Sequence, residues 1–289
     1  MNRPVIGPAW RSAVLVVLTL LAGCQTRERY VDEGDYQLDL SSPAISRGER
    51  VRFLVFHYTA EDLSTSLETL TTGHVSAHYL VPAYPRQVNG KPVAWKQVPE
   101  SQAAWHAGGS YWRGYSQLNA TSVGIEQENP GWRQTALGTY WWQPYTPQQI
   151  TLVTRLARDI IARHHIAPQN VVGHSDIAPQ RKVDPGPLFP WRQLALAGIG
   201  AWPDAQRVRF YLGDKQTYTP TDRGALLKKL ACYGYEVNPG MSEDQQQRVV
   251  AAFQMHFRQQ RYDGNADAET EAIADALLEK YGGSCKGAT

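Results

Sequence analysis

The sequence predicts a mixed α/β domain over residues 46–200, followed by a small all-α module of three helices over residues 206–283. Two observations carry this. Between Val51 and Ser175, short β-branched and aromatic runs are interspersed with segments of helical period. Beyond residue 220 the period is wholly helical and capping signals recur. The length agrees, since 289 residues suit one large or two modest domains. With 42% hydrophobic and 19% charged residues, the chain has enough apolar material for a sizeable core.

Residues 1–23 read as a processing signal rather than as fold. Arg3 and Arg11 precede the apolar run Ala13–Leu21, which falls short of the ~20 residues of a membrane span and reads as a signal-peptide h-region. The run ends in Leu21-Ala22-Gly23-Cys24. That ending resembles the bacterial lipoprotein signal, which implies a lipid-bearing N-terminus at Cys24. Gln25, not Asp, follows, and in the enterobacterial sorting rule this implies an outer-membrane anchor facing the periplasm, made stable by multiple acyl chains. Residues 24–45 are polar, lack helical period and read as a tether. Cys232 and Cys285 remain, and the oxidising periplasm permits them to pair.

The catalytic half begins with VRFLVFHYT. Val51–Phe56 predicts a buried strand, with His57 at its carboxyl end. Leu63, Leu67 and Leu70 predict a helix. SAHYLV (76–81) predicts a strand, and Asn89-Gly90 within QVNGKPVAW signals a hairpin. SVGIEQE (122–128) is a further strand. Thr146 followed by Pro147 signals a helix start, and Ile150, Val153, Leu156, Ile160 and Ile161 form its apolar stripe to about His164. NVVGHS is a strand that ends at His174. Residues 201–220, with Pro203 and Pro220, read as an irregular linker. Three helices follow. The first spans about 222–233 with Leu226, Leu227 and Leu230. The second starts at Ser242, whose capping box is completed by Gln245, and carries Val249, Phe253 and Phe257. The third lies after Asp263-Gly264, carries Ile273, Leu277 and Tyr281, and is closed by Gly282.

His57 and His174 both end strands, where ligands commonly sit in open α/β sheets. Asp184 lies ten residues past His174 in the loop GHSDIAPQRKVDPG (173–186). Two histidines and a carboxylate, with a fourth position open to water, form a catalytic zinc set. The sequence lacks HExxH, which excludes the helix-borne metalloprotease site but not a site assembled from distant strands. Net charge is +2 without a block of like charges, so no electrostatic footprint for nucleic acid exists.

Five pieces in fixed order carry a resemblance: FHYT (56–59), SAHYLV, AWHAG (104–108), SVGIEQEN (122–129) and GHSDIAPQRKVDPG. They resemble the zinc-dependent N-acetylmuramoyl-L-alanine amidases related to peptidoglycan recognition proteins. The resemblance implies zinc on His57, His174 and Asp184, a catalytic carboxylate at Glu126 and a catalytic cation at Lys182. The implied reaction is hydrolysis of the amide between N-acetylmuramic acid and L-alanine, with peptidoglycan and muropeptides as partners. Glu128 lies on the side of Glu126 by the strand period of two, so periodicity leaves both open and the motif selects Glu126. The resemblance also places His78, Trp105 and His106 near the groove, as substrate contacts or as hydrogen-bond partners of a ligand. Tyr111, Trp112, Trp132, Trp141 and Trp142 are further candidate groove aromatics, with core packing as the alternative. Members of the wider fold that lack the ligands bind without cutting; here all five positions are filled. The second module resembles a three-helix peptidoglycan-binding domain through Phe253, Gln254 and Phe257, and through Asp263, Gly264, Asp267 and Thr270, although that family usually has glycine where Asp267 stands. It implies a second wall contact or a brace for the catalytic domain.

Overall fold

The computed structural model describes residues 29–134 and 140–282. The processing signal, Cys24 and Cys285 lie outside the described residues; Cys232 is disulfide-bonded. The chain divides into two units, residues 1–48 and 49–289.

In the first unit, strands β1 (Tyr30–Asp32) and β2 (Gln37–Asp39) form an antiparallel ribbon where the sequence reads as a tether. The turn is local chemistry. Asp32 accepts from the Gly34 N–H at 2.8 Å, and Arg29 pairs with Asp39 at 3.0 Å. Its strands bury almost nothing, so no apolar pattern announces them.

The second unit is built on a five-stranded sheet in the order β13-β3-β10-β4-β7. In chain order its elements begin with β3 (Phe53–Tyr58), α1 (Leu63–Thr72), β4 (Tyr79–Val81) and the hairpin β5 (Gln87–Val88) with β6 (Lys91–Pro92). Next come β7 (Trp95–Lys96), the ribbon β8 (Tyr111–Trp112) with β9 (Tyr115–Ser116), and β10 (Ser122–Gln127). The ribbon β11 (Trp132–Gln134) with β12 (Tyr140–Trp142), α2 (Pro147–His164) and β13 (Val171–Gly173) follow. Helices α3 (His174–Ile177), α4 (Trp191–Leu196), α5 (Ala205–Leu212), α6 (Arg223–Tyr233), α7 (Glu243–Phe257) and α8 (Ala268–Tyr281) complete the chain. Strands β13, β3, β10 and β4 run parallel, and β7 is antiparallel to β4, which makes the sheet mixed.

The signals read from sequence correspond to real caps. Thr146 Oγ1 accepts from Gln149 N with Pro147 in the first turn, Ser242 and Gln245 form a reciprocal capping box, and Asn89 and Gly90 both take positive φ in the hairpin turn. One expectation fails. Residues 201–220 read as irregular, yet α5 occupies Ala205–Leu212. Asp204 caps it by accepting from Gln206 and Arg207 N–H, and the helix has no buried residue and hence no apolar stripe to read.

Alternation along β3 explains why the sheet needs cover on both faces. Leu54 and Phe56 join Val123, Ile125 and the α2 residues Ile150, Val153, Ala157 and Ile160 in one apolar cluster. Phe53 and Val55 belong to another, with Trp112, Val172 and Ile177 and with Leu226, Leu230, Tyr235, Val249 and Phe253 of the C-terminal helical segment. The same period places His57 on the face of Phe53 and Val55.

Candidate active site

His57 is the penultimate residue of β3, and its register partner on β10 is Glu126. β13 stops at Gly173, so His174 opens α3 directly at the sheet edge beside β3. The loop after α3 returns Asp184 to the same point, where its carbonyl accepts from Ser175 N–H at 2.8 Å. All three side chains are buried. His57 Nδ1 and His174 Nδ1 are 2.9 Å apart, and Asp184 Oδ2 is 3.1 Å from each.

The hydrogen-bond partners behind these atoms favour one proton arrangement on the rings. The Leu118 carbonyl can only accept, so the Ser122 hydroxyl donates to it at 2.6 Å. Ser122 Oγ therefore accepts from His106 Nε2–H at 3.1 Å, leaving His106 Nδ1 to accept from His57 Nε2–H at 2.9 Å. His57 Nδ1 then presents a lone pair. His174 Nε2 lies 3.2 Å from the Ala107 carbonyl, which only accepts, and 3.3 Å from Arg181 Nη2, which only donates; with its Nε2–H directed to Ala107, His174 presents a lone pair at Nδ1 too. Two imidazole lone pairs and a carboxylate oxygen converge without a proton between them. A cation satisfies all three, and donors on a tetrahedral zinc ion lie roughly 3.3 Å apart at their usual bond lengths. The donor set fits zinc.

Electrostatics agree with that state. Burial, reinforced by His174, lowers the His57 pKa to about 4, which keeps the ring neutral at pH 7. Burial works to raise the Asp184 pKa, but His174 and His57 overcome it and hold the carboxyl well below the usual range. Burial, then the charge of Asp184, pushes Glu126 well above the ordinary carboxyl pKa, while Lys182 pulls the other way. Glu126 Oε1 is 4.0 Å from His57 Nδ1, and its Oε2 is buried without a hydrogen-bond partner. Glu128 differs: its two oxygens accept from Leu63 N–H at 3.2 Å and Ala83 N–H at 2.7 Å, so both are occupied.

A cavity of about 340 Å³ joins these groups; Tyr58, Trp105, Glu126, His174, Lys182 and Asp184 line it. Trp105 stands at its wall, 59% exposed. His106 touches the cavity but is held from behind, with its ring against Gly124, where a Cβ would come within 2.5 Å. His78 is fully buried and outside the cavity lining; its Nδ1 accepts from Gly124 N–H and its Nε2 faces the Gln102 carbonyl. Among the candidate aromatics, Trp112 is buried against Tyr233 and Tyr235, Trp142 donates to Tyr262, Tyr111 is half-buried, and Trp132 and Trp141 are about half exposed. Sequence reasoning missed Ser122, which looks like any strand residue, and Arg181, whose guanidinium donates to the carbonyls of Ala107 and Gly109 across the cavity edge.

The family described as N-acetylmuramoyl-L-alanine amidase matches residues 47–187. The chain is 58% identical over 263 residues to the N-acetylmuramoyl-L-alanine amidase AmiD of Escherichia coli, covering 91% of this chain and 95% of that protein. It is 42% identical over 94 residues to the 1,6-anhydro-N-acetylmuramyl-L-alanine amidase AmpD of Enterobacter cloacae, covering 32% of this chain and 45% of that one. Among solved structures, E. coli AmiD in complex with the substrate anhydro-N-acetylmuramic acid-L-Ala-D-gamma-Glu-L-Lys matches with a TM-score of 0.86 at 58% identity, over 88% of this chain and 98% of that chain. AmpDH3 from Pseudomonas aeruginosa matches with a TM-score of 0.76 at 40% identity, over 87% and 98%.

Proposed function

The chain belongs to the N-acetylmuramoyl-L-alanine amidase family, and on that premise we propose that it hydrolyses the amide between N-acetylmuramic acid and L-alanine in peptidoglycan at a zinc centre held by His57, His174 and Asp184. The observation that carries the reading is the convergence of three lone-pair donors at 2.9–3.1 Å beside a free carboxylate oxygen, with His174, Asp184 and Glu126 lining one cavity.

His57, His174 and Asp184 would hold the zinc ion, which when bound would supply the Lewis acidity that activates water and the amide carbonyl. Glu126, whose raised pKa suits a proton acceptor, takes a proton from the attacking water and delivers it to the departing L-alanyl nitrogen. Lys182 lines the same cavity and faces the carbonyl oxygen as it gains negative charge. His106 holds His57 from behind in the tautomer that turns Nδ1 inward. Trp105, exposed at the cavity wall, contacts the glycan or the stem peptide.

The E. coli relative was solved with an anhydro-muramyl tripeptide, and we extend that substrate class to this chain alongside intact sacculi. The lipoprotein-like Leu21-Ala22-Gly23-Cys24 supports an outer-membrane lipid anchor facing the periplasm, and residues 206–283 support a weak second contact with the wall. No helix among the described residues is long and apolar enough to cross a membrane.

The test incubates the purified chain with sacculi and with an anhydro-muramyl tripeptide, with and without a chelator, and reads products by mass spectrometry. Peptides that begin with L-alanine should appear, stop with chelator and return with zinc. Cleavage only inside the stem peptide, or release that a chelator leaves untouched in metal-free protein, would overturn the reading.

A further inference from the structure

Eight residues before Asp184, the segment that carries His174 contains a second buried carboxylate that the reaction does not use. Asp176 sits in α3, two positions after His174, with no solvent exposure. Its Oδ2 accepts from the Gly173 N–H at 2.7 Å, which closes the turn from β13 into α3 and so sets where His174 begins. The remaining partners come from far along the chain. Tyr235, just after α6, donates its hydroxyl to Oδ1 at 2.5 Å, and His256 of α7 places Nδ1 2.7 Å from Oδ2.

These two donors are themselves fixed. Tyr235 is 1% exposed and packs edge-on against Trp112 at 4.9 Å. The His256 ring stacks on Trp191 of α4 at 3.7 Å and 16°. Trp191 and Pro185, which follows Asp184 directly, both press on Gly173, where a Cβ would come within 3.2 Å of the indole and 2.6 Å of the proline ring. Asp184, in turn, is tied to α3 through Ser175 N–H. Gly173, His174, Asp176, Asp184 and Pro185 thus form one knot that contains two of the three proposed zinc ligands, and among the described residues the side-chain hydrogen bonds that reach it from Tyr235 and from α7 both end on Asp176.

From this we infer that the C-terminal helices position the zinc site: Tyr235 and His256 hold Asp176, and through it the backbone that presents His174 and Asp184. Tyr235 and His256 are positioning residues, since neither lines the cavity. The inference rests on the zinc-site reading above. It predicts a dependence of metal retention on residues of the helical module, which a separate wall-binding domain does not have.

His256 permits a clean test, because its Nε2 is buried without a partner. His256→Phe keeps the stack on Trp191 and deletes only the hydrogen bond to Asp176, while His256→Asn keeps a donor at the same number of bonds from the backbone. The full chain and the variants His256→Phe, His256→Asn and Tyr235→Phe are loaded with cobalt(II) or zinc. Metal loss to a chelator is timed well below each melting temperature, and the cobalt absorption spectrum is recorded. His256→Phe and Tyr235→Phe should each lose metal several-fold faster, up to the ~10-fold that removing a ligand's own hydrogen-bond partner gives, since both act one residue further out, with an altered cobalt spectrum. His256→Asn should return toward the parent rate. If both deletion variants fold and release metal at the parent rate with the parent spectrum, the inference is overturned. If the parent itself holds no metal, the zinc-site reading fails first. Should His256→Phe fail to fold, Tyr235→Phe, which removes a single hydroxyl, decides alone.

Discussion

Two buried aspartates, eight residues apart, show how one residue type serves two ends. Asp184 and Asp176 each face two aromatic side chains at hydrogen-bond distance. Around Asp176 every contact supplies a proton: Tyr235 O–H, Gly173 N–H and His256. Around Asp184 the two imidazoles turn lone pairs inward, because the Ser122–His106 chain and the Ala107 carbonyl claim their protons elsewhere. The first cluster is complete as it stands. The second is complete only with a cation. Proton bookkeeping two bonds behind the carboxylate, more than burial or residue type, separates a structural knot from a catalytic centre.

The largest effect should come from breaking the second cluster. Asp184→Ala should abolish metal retention, measured by bound metal per chain, and remove activity to background. Asp176→Asn should keep metal binding measurable while lowering stability by about 1–3 kcal/mol in denaturant titration, the usual penalty for a mismatched buried donor. If the two variants lose metal equally, the contrast between the clusters is wrong. Next in size, Glu126→Gln should bind metal normally and lower kcat by about 10²–10⁴, the contribution typical of a general base; unchanged turnover would remove Glu126 from the mechanism. Smaller still, Gly124→Ala drives a methyl to within 2.5 Å of the His106 ring. It should destabilise the fold by about 1–3 kcal/mol and speed metal loss, since the chain that sets the His57 tautomer runs through that ring.

The smallest effect lies away from both clusters. Glu100 accepts from Tyr79 at 2.5 Å and from Arg163 and His164 at 2.6 Å each. Burial opposes ionisation, but Arg163, Tyr79 and His164 prevail and lower the Glu100 pKa to about 2. Because the folded-state pKa is depressed, the stabilisation is present above the unfolded value near 4.5 and is lost as pH falls toward 2. Acid unfolding of Glu100→Gln should therefore show a shallower pH dependence across that window, with no change in metal binding.

Much of this was legible in advance, and the reasons are local. Thr146-Pro147, Ser242 with Gln245 and Asn89-Gly90 act on backbone groups within a few residues, so a linear reading finds them. His57, His174 and Asp184 announced themselves as residue types in a recognisable order, and the sheet brings them together. Periodicity alone left Glu126 and Glu128 tied; the fold distinguishes them because the strand ends between them and Glu128 is consumed by Leu63 and Ala83 N–H. Helix α5 escaped for want of a buried face. Asp176, Tyr235 and His256 escaped because their partnership spans 59 and 80 residues of chain and leaves no spacing to detect.

The sharing of one sheet between two apolar covers has a consequence for how the enzyme meets its polymer. Phe53 and Val55 lie in the same cluster as Leu226, Val249 and Phe253, so the join between the α/β portion and the helices is a seam inside a core, within a single compact unit of residues 49–289. Any contact that α6–α8 made with the wall would therefore stand at a fixed offset from the cleft. Such an arrangement would work as a caliper rather than a leash, with any point of attachment on the helices held at a set span and angle from the cleft.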